Sequence, residues 1–183
     1  GIPAAMTMGA NVTNPSCAGQ KGEISLTIGN GANLPLCYSL LNPTDVTDTI
    51  ATNLVGTFTN VDEGTYKASV TDQTGCTIQG NYGVNAPNPI GISLTSTEDV
   101  GCFGEQDGSI SVSITGGTPN FDVHAEDLSF TTISISSQNI RTRNLNAKFY
   151  SGDYFVYVVD GQGCISDSIY FTINEPVVTN MSG

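Results

Sequence analysis

The chain states nearly the same phrase twice, and that duplication limits what it can fold into more than any other feature. Residues 64 to 76 read GTYKASVTDQTGC and residues 152 to 164 read GDYFVYVVDGQGC, at an offset of 88. An earlier pair keeps the same order: Cys17-Ala-Gly-Gln-Lys-Gly-Glu-Ile-Ser-Leu-Thr-Ile is echoed by Cys102-Phe-Gly-Glu-Gln-Asp-Gly-Ser-Ile-Ser-Val-Ser-Ile. A period of this length is too long for a solenoid turn and suits a module that folds by itself. Duplicated modules extend, space or display something, whereas an active site is normally built once.

Within each module, apolar and polar residues alternate with period two, and Gly, Asn, Asp or Pro clusters break the alternation every eight to twelve residues or so. Ile24, Leu26 and Ile28 alternate with Glu23, Ser25 and Thr27, as Ile110, Val112 and Ile114 do with Ser109, Ser111 and Ser113. Leu36, Tyr38 and Leu40 are answered by Phe121, Val123 and Ala125, and Tyr66, Ala68 and Val70 by Tyr154, Val156 and Val158. There is no capped helical pattern of ten residues. The expected fold is all-β, two tandem immunoglobulin-like β-sandwich domains over residues 1–88 and 89–183. Val84-Asn85-Ala86-Pro87-Asn88-Pro89 forms the joint, and Ile173-Asn174-Glu175-Pro176 ends the second module with the same cadence. A proline after the last strand stops ladder pairing and stiffens the link. The cadence reads as an excerpt from a longer array, or as a protomer whose tail docks on a neighbour.

Seventeen acidic against five basic residues give a formal net charge of −12. A polyanion would be repelled, so nucleic acid is excluded as a partner. No apolar run is long enough to span a bilayer, so this segment is not expected to insert in a membrane. The uncharged polar positions are filled by Ser, Thr, Asn and Gly, which fits a secreted β protein.

Five cysteines in such a chain favour an oxidising compartment. Cys17 corresponds to Cys102 and Cys76 to Cys164, and two pairings respect the repetition. One lies within each module, Cys17 with Cys76 and Cys102 with Cys164. The other follows if the turn before the second strand and the last hairpin lie at opposite ends of the sandwich, with Cys17 meeting Cys164 and leaving Cys76 and Cys102 for neighbouring modules. Cys37 has no counterpart, because Asp122 takes its place; it is expected unpaired and facing away from the core.

The order Cys-x-Gly-x-x-Asp-Gly-Ser-Ile at 102 to 110, Gly-Gly-Thr-Pro-x-Phe at 116 to 121, Gly-x-Tyr at 152 to 154 and Val-x-Asp-x-x-Gly-Cys at 158 to 164 resembles the SprB-type repeat. Such repeats occur in large secreted cell-surface adhesins of Bacteroidetes, including gliding-motility filaments exported by the type IX system. The resemblance extends over both modules, with the second the better match. Module one has Asn30-Gly31-Ala32-Asn33 in place of the Gly-Gly-Thr turn, and residues 144 to 151 of module two carry extra length before Gly152. The resemblance implies an extracellular or cell-surface location and a role as spacer or adhesive bead, with no catalytic residue.

Candidate sites follow from the residues that each module does not share. A hydrolase would need a nucleophile with a base beside it, and the one histidine, His124, falls on the outer face of a strand. Glu98, Asp99, Glu105 and Asp107 surround the Cys102 turn and form a candidate calcium site, although no Asp-x-Asp-x-Asp-Gly loop is present. Otherwise no cofactor is expected. Where module one points Lys67, Ser69 and Thr71 outward, module two points Phe155, Tyr157 and Val159, with Tyr170 adjacent. Apolar side chains on a wet sheet face mark a covered or interacting patch, the cover being either the segment Ala147 to Ser151 or a partner. Asp48-Thr49-Ile50 and Asp167-Ser168-Ile169 fit the O-glycosylation triplet of the lineage that the resemblance implies, with Thr49 and Ser168 as acceptors. Asn11-Val-Thr13 and Asn180-Met-Ser182 match the N-glycosylation pattern. The expected function is a non-catalytic structural or adhesive repeat, with neighbouring repeats, identical protomers or extracellular polysaccharide as partners. The alternatives are a carbohydrate-binding accessory module of a secreted enzyme and a self-assembling filament subunit.

Overall fold

A computed structural model describes residues 5–45, 47–129, 131–138 and 142–177, with the side chains of 132–138 and 142–147 left aside. The chain divides into two compact units, Gly1–Ala86 and Pro87–Gly183. Unit 1 holds β1 (Met8–Thr13), β2 (Gly22–Ile28), β3 (Leu36–Leu41), β4 (Thr49–Asn53), β5 (Thr57–Val61), β6 (Gly64–Asp72) and β7 (Thr77–Val84). Unit 2 holds β8 (Gly91–Glu98), β9 (Gly108–Thr115), β10 (Phe121–Asp127), β11 (Thr132–Gln138), β12 (Thr142–Phe149), β13 (Gly152–Val159) and β14 (Ile169–Ile173).

The topology is the same in both. Unit 1 pairs β1-β2-β5 in one sheet and β4-β3-β6-β7 in the other; unit 2 pairs β8-β9-β12 and β11-β10-β13-β14. Neighbouring strands are antiparallel. This is an immunoglobulin-like sandwich whose fourth strand has joined the sheet of the third, instead of lying beside the fifth.

The cores form where the alternation puts them. Ile24 and Leu26 of one sheet meet Leu36, Tyr38, Leu40, Ala68 and Val70 of the other in unit 1. Ile110, Val112 and Ile114 meet Phe121, Val123, Ala125, Val156 and Val158 in unit 2. Each fully buried branched or aromatic side chain removes enough apolar surface from water to stabilise the fold by about 1.5–3 kcal/mol. β-branched residues on these strands keep their preferred rotamers on a pleated surface, which is why the pattern settles as sheet.

Both units turn the corner into their sixth strand in the same way. Tyr66 Oη donates to the Asp62 carbonyl at 2.9 Å, and Tyr154 Oη donates to the Tyr150 carbonyl at 3.1 Å. This is the tyrosine corner of immunoglobulin-like sandwiches. It explains the Gly-x-Tyr phrase, since Gly64 and Gly152 adopt φ of 155° and 156° just before the ring turns back. The extra length before Gly152 is a wider bulge. Phe58 to Val61 lie opposite Gly22 to Ile24 in unit 1, whereas Leu145 to Phe149 lie opposite Gly108 to Ile110 in unit 2. The bulge delivers Phe149, fully buried, edge-on to Tyr154 and Phe171 with ring centroids 5.0 and 5.6 Å away.

Candidate functional site

Three places carry the chemistry that sequence singled out: the two ends of each sandwich, where the cysteines sit, and the outer face of the β11-β10-β13-β14 sheet.

At one end, each β6–β7-type hairpin is built around a buried aspartate. Asp72 Oδ1 accepts the N–H of Thr74 and Cys76 at 2.8 and 3.0 Å and the Thr74 hydroxyl at 2.6 Å, while Oδ2 accepts both N–H groups of Asn33. Asp160 does the same in unit 2, accepting from Gln162 and Cys164 at 2.9 Å each and from Thr118 at 2.8 Å. The hydrogen bond from Thr74, with those from Asn33 and Cys76, holds Asp72 well below the usual carboxylate range despite its desolvation. Burial pushes Asp160 up, but the surrounding backbone N–H groups of Thr118, Cys164, Gln162 and Gly163 outweigh it and leave the carboxyl below its ordinary value. Gly75 and Gly163, at φ 85° and 81°, take the left-handed step that the turn requires. The phrase Asp-x-x-Gly-Cys is therefore a cage that fixes the cysteine at the hairpin tip.

At the other end lies the turn cysteine. Cys17 sits between β1 and β2, beside the end of β7, where Asn14 Oδ1 accepts the Asn85 N–H at 2.9 Å. Cys102 sits between β8 and β9, beside the end of β14, where the Asn174 carbonyl accepts the Val100 N–H at 3.1 Å. The eight residues of β7 separate the two cysteines of unit 1 along the sandwich, roughly 26 Å at about 3.3 Å per residue. A disulfide needs Cα atoms within about 7 Å. The within-module pairs Cys17–Cys76 and Cys102–Cys164 are accordingly not made. Cys17 is disulfide-bonded and so is Cys164, while Cys76, Cys102 and Cys37 are exposed free thiols.

The outer face of unit 2 is an aromatic strip. Phe155 pairs across the sheet with Tyr170 and Glu126, and Tyr157 with His124. His124 and Tyr157 stack at 4.9 Å with their planes 4° apart, and Phe155 lies 6.2 Å from the Tyr157 ring and 5.8 Å from that of Tyr170. Tyr157 Oη donates to Glu126 Oε1 at 3.0 Å; burial first, and then this carboxylate, push its ionisation up. The four residues of the expected patch do not share one degree of exposure. Phe155 is 8% exposed and belongs to the protein's buried surface, Tyr157 and Val159 are half-buried, and Tyr170 stands 72% exposed at the strip's edge. The rings of Tyr157 and Tyr170 lie beside Phe155, and in the segment Ala147 to Ser151 Phe149 turns inward to the core while Tyr150 stays exposed.

The four acidic residues around Cys102 are not gathered into a calcium cage. Asp99 accepts from the backbone and side-chain N–H groups of Asn174, Asp107 from the Gly101 N–H, and Glu98 from the Ser109 hydroxyl. Glu105 is exposed, and its N–H donates to the Cys102 carbonyl. Among the described residues, no three His, Cys, Asp or Glu side chains converge as a metal site. Three of the four carboxylates are thus spent on holding the turn. Thr49 at the start of β4 and Ser168 before β14 are exposed, as are Asn11 and Thr13 on β1; Asn180 to Ser182 lie outside the described residues. A cleft of about 410 Å³, lined by Leu40, Ile50, Phe58 and Val61 with Asn60 and Asp62, opens between β4 and β5 of unit 1. Its rim includes Asn60, at φ 57° within the β5 bulge.

The turn around Cys102 and the strands on either side of it carry a family match. Residues 94–122 match the SprB repeat. The SprB match runs from the middle of β8 through the turn and β9 to the first residues of β10, and takes in both the Cys102 phrase and Gly116-Gly117-Thr118-Pro119. No curated protein matches the chain in sequence. Among solved structures, the fibronectin(III)-like modules of Clostridium thermocellum CbhA align at TM-score 0.40 and 16% identity over 93% of this chain and 94% of theirs. The IG1+IG2 pair of DIP-gamma aligns at 0.45 and 10% over 95% and 98%, and a C-terminal fragment of intimin at 0.46 and 15% over 98% and 68%.

Proposed function

We propose that the chain is a non-catalytic structural and adhesive repeat of a secreted cell-surface adhesin, and that unit 1 is a second, diverged copy of the repeat matched in unit 2. The observation that carries this reading is the SprB match at residues 94–122, set in a frame that unit 1 reproduces strand for strand. The unit's specialised residues are spent on rigidity. Buried aspartates tie the hairpins, tyrosines tie the corners, and surface carboxylates tie the turn. Such a bead holds its ends in fixed positions, which suits spacing and display on a surface. Its acidic surface agrees with an extracellular setting and with partners other than polyanions.

The contact surface is the outer face of unit 2. Tyr170 at its edge offers an exposed ring beside Phe155 and Tyr157, and aromatic faces of this kind take either a protein partner or a polysaccharide. Saturable binding of the purified chain to an extracellular polysaccharide, lost in Tyr170→Ser, would favour the carbohydrate-binding alternative. The main reading is tested by attachment. Cells deprived of the parent protein should settle poorly on a solid surface and recover with the intact chain restored. Unchanged attachment in the deletion strain would contradict it.

A further inference from the structure

The two units use opposite cysteines. In unit 1 the turn cysteine, Cys17, is disulfide-bonded and the hairpin cysteine, Cys76, is free; in unit 2 the hairpin cysteine, Cys164, is bonded and the turn cysteine, Cys102, is free. What remains free is one thiol of each kind that elsewhere in the chain is a half-cystine. We infer that Cys102 of one copy and Cys76 of a second copy of this chain form an intermolecular disulfide, joining the turn end of unit 2 to the hairpin end of unit 1.

Each free thiol is presented as its bonded counterpart is. Around the hairpin cysteines, Asp72 N–H donates to the Cys76 carbonyl and Asp160 N–H to the Cys164 carbonyl, both at 2.9 Å, and Gly75 and Gly163 donate back to the aspartate carbonyls at 3.0 and 2.9 Å. Around the turn cysteines, the Cys17 and Cys102 carbonyls accept from Gln20 and Glu105 at 3.2 and 3.1 Å, after Gly19 and Gly104 at φ 75° and 77°. A backbone that presents Cys164 and Cys17 for bonding therefore presents Cys76 and Cys102 in the same way. Cys37 has no such counterpart; it is the second residue of β3, opposite Thr71.

Both free ends also expose an apolar side chain. Phe103, next to Cys102, is 64% exposed, and Leu34, next to the Asn33 that ties the Cys76 hairpin, is 74% exposed. Association of the two ends would bury them around the new bond, as apolar anchors are buried at interface centres. Because a turn end meets a hairpin end, the contact is heterologous. Copies joined this way add head to tail and grow as a filament unless the rotation closes a ring.

The oxidant is a low-molecular-weight disulfide. The Cys76 thiolate attacks it, forms a mixed disulfide and expels one small thiolate; the Cys102 thiolate of the second copy then attacks the Cys76 sulfur and expels the other. One protein S–S bond forms and the reagent's S–S bond is broken. The two protein thiols give up two electrons and two protons, and the protons end on the two released small thiols. The linkage goes beyond the surface-repeat reading and does not depend on it, so attachment and cross-linking can fail separately.

The test oxidises the full chain with oxidised glutathione and resolves it without reductant. Wild type should give a ladder of covalent oligomers, and Cys37→Ser the same ladder. Cys76→Ser alone and Cys102→Ser alone should lose the ladder, while a mixture of the two should give a dimer that grows no further. Wild type alkylated at its free thiols before oxidation should stop equally, without any substitution. Peptide mapping of mixed isotope-labelled and unlabelled chains should find Cys76–Cys102 peptides carrying both labels. Ladders that persist in both single variants, Cys76–Cys76 or Cys37-containing links, a Cys76–Cys102 bond confined to one chain, or a wild type that stays monomeric would each overturn the inference.

Discussion

Lys67, Ser69 and Thr71 of β6 stand where β13 has Phe155, Tyr157 and Val159, on sheets of identical strand order. Across the sheet, Ser39 faces Ser69 in unit 1, whereas His124 faces Tyr157 in unit 2 and the two rings stack. The inward residues of the same strands barely differ: Tyr66, Ala68 and Val70 in one, Tyr154, Val156 and Val158 in the other, all buried. The inner face must fill a sandwich core, so it repeats. The outer face has no such duty, and there the two units diverge.

The largest expected effect comes from a core position at which the two units differ in size. Phe149 in the wide bulge of unit 2 pairs with Gly108 as Val61 pairs with Gly22 in unit 1. Phe149→Ala should destabilise the protein by about 3–5 kcal/mol, and Val61→Ala by roughly half as much. Denaturant midpoints of the two variants measure the gap; equal losses would mean that the bulge adds nothing to packing.

Acid should act next, through the hairpin aspartates. Their folded pKa values lie below the unfolded value, so the stability they add is complete above about pH 5 and drains away as pH falls below about 3.9. Asp72→Asn and Asp160→Asn should each flatten the pH dependence of melting below pH 5. Asp72→Asn should cost more at neutral pH, because Asn33 and the Thr74 hydroxyl lean on Asp72 in addition to the hairpin backbone. An unchanged acid limb would show that the cages are not ionised anchors.

The tyrosine corners should behave alike in the two units. Tyr66→Phe and Tyr154→Phe each remove one hydrogen bond to a backbone carbonyl and should cost about 1 kcal/mol, read as a melting shift. A marked inequality would mean that one corner is held by something other than its hydroxyl. Smallest of all is Tyr170→Ser, at an exposed site, which should change stability by less than about 0.5 kcal/mol while weakening contact with the partner surface.

Much of the frame was readable in the strands with strong alternation. β2, β3 and β6, and their counterparts β9, β10 and β13, bury the residues that period two assigns to the core, except Ile28 at the end of β2, which is half-buried. β4, which reads Thr-Ile-Ala-Thr-Asn at the sheet edge and exposes Thr49 and Ile50, gives no such signal because an edge strand needs no continuous apolar face. The corners were visible only as Gly-x-Tyr, a phrase with ordinary turn uses, although its recurrence before the sixth strand could have identified them. Composition alone could not choose the cysteine pairing, since that depends on which ends of the sandwich the cysteines occupy. Alternation places Phe155 on the surface, yet it is buried, with the rings of Tyr157 and Tyr170 beside it. At the acidic turn, sequence shows the carboxylates but not the N–H groups that engage Asp99 and Asp107 in the fold.

A surface repeat must above all be displayed outside the cell. Protease treatment of intact cells, followed by immunoblotting with an antibody against this chain, tests that directly. Loss of the epitope from intact cells, with a cytoplasmic marker spared, is the predicted result. An epitope that survives until the cells are lysed would contradict it.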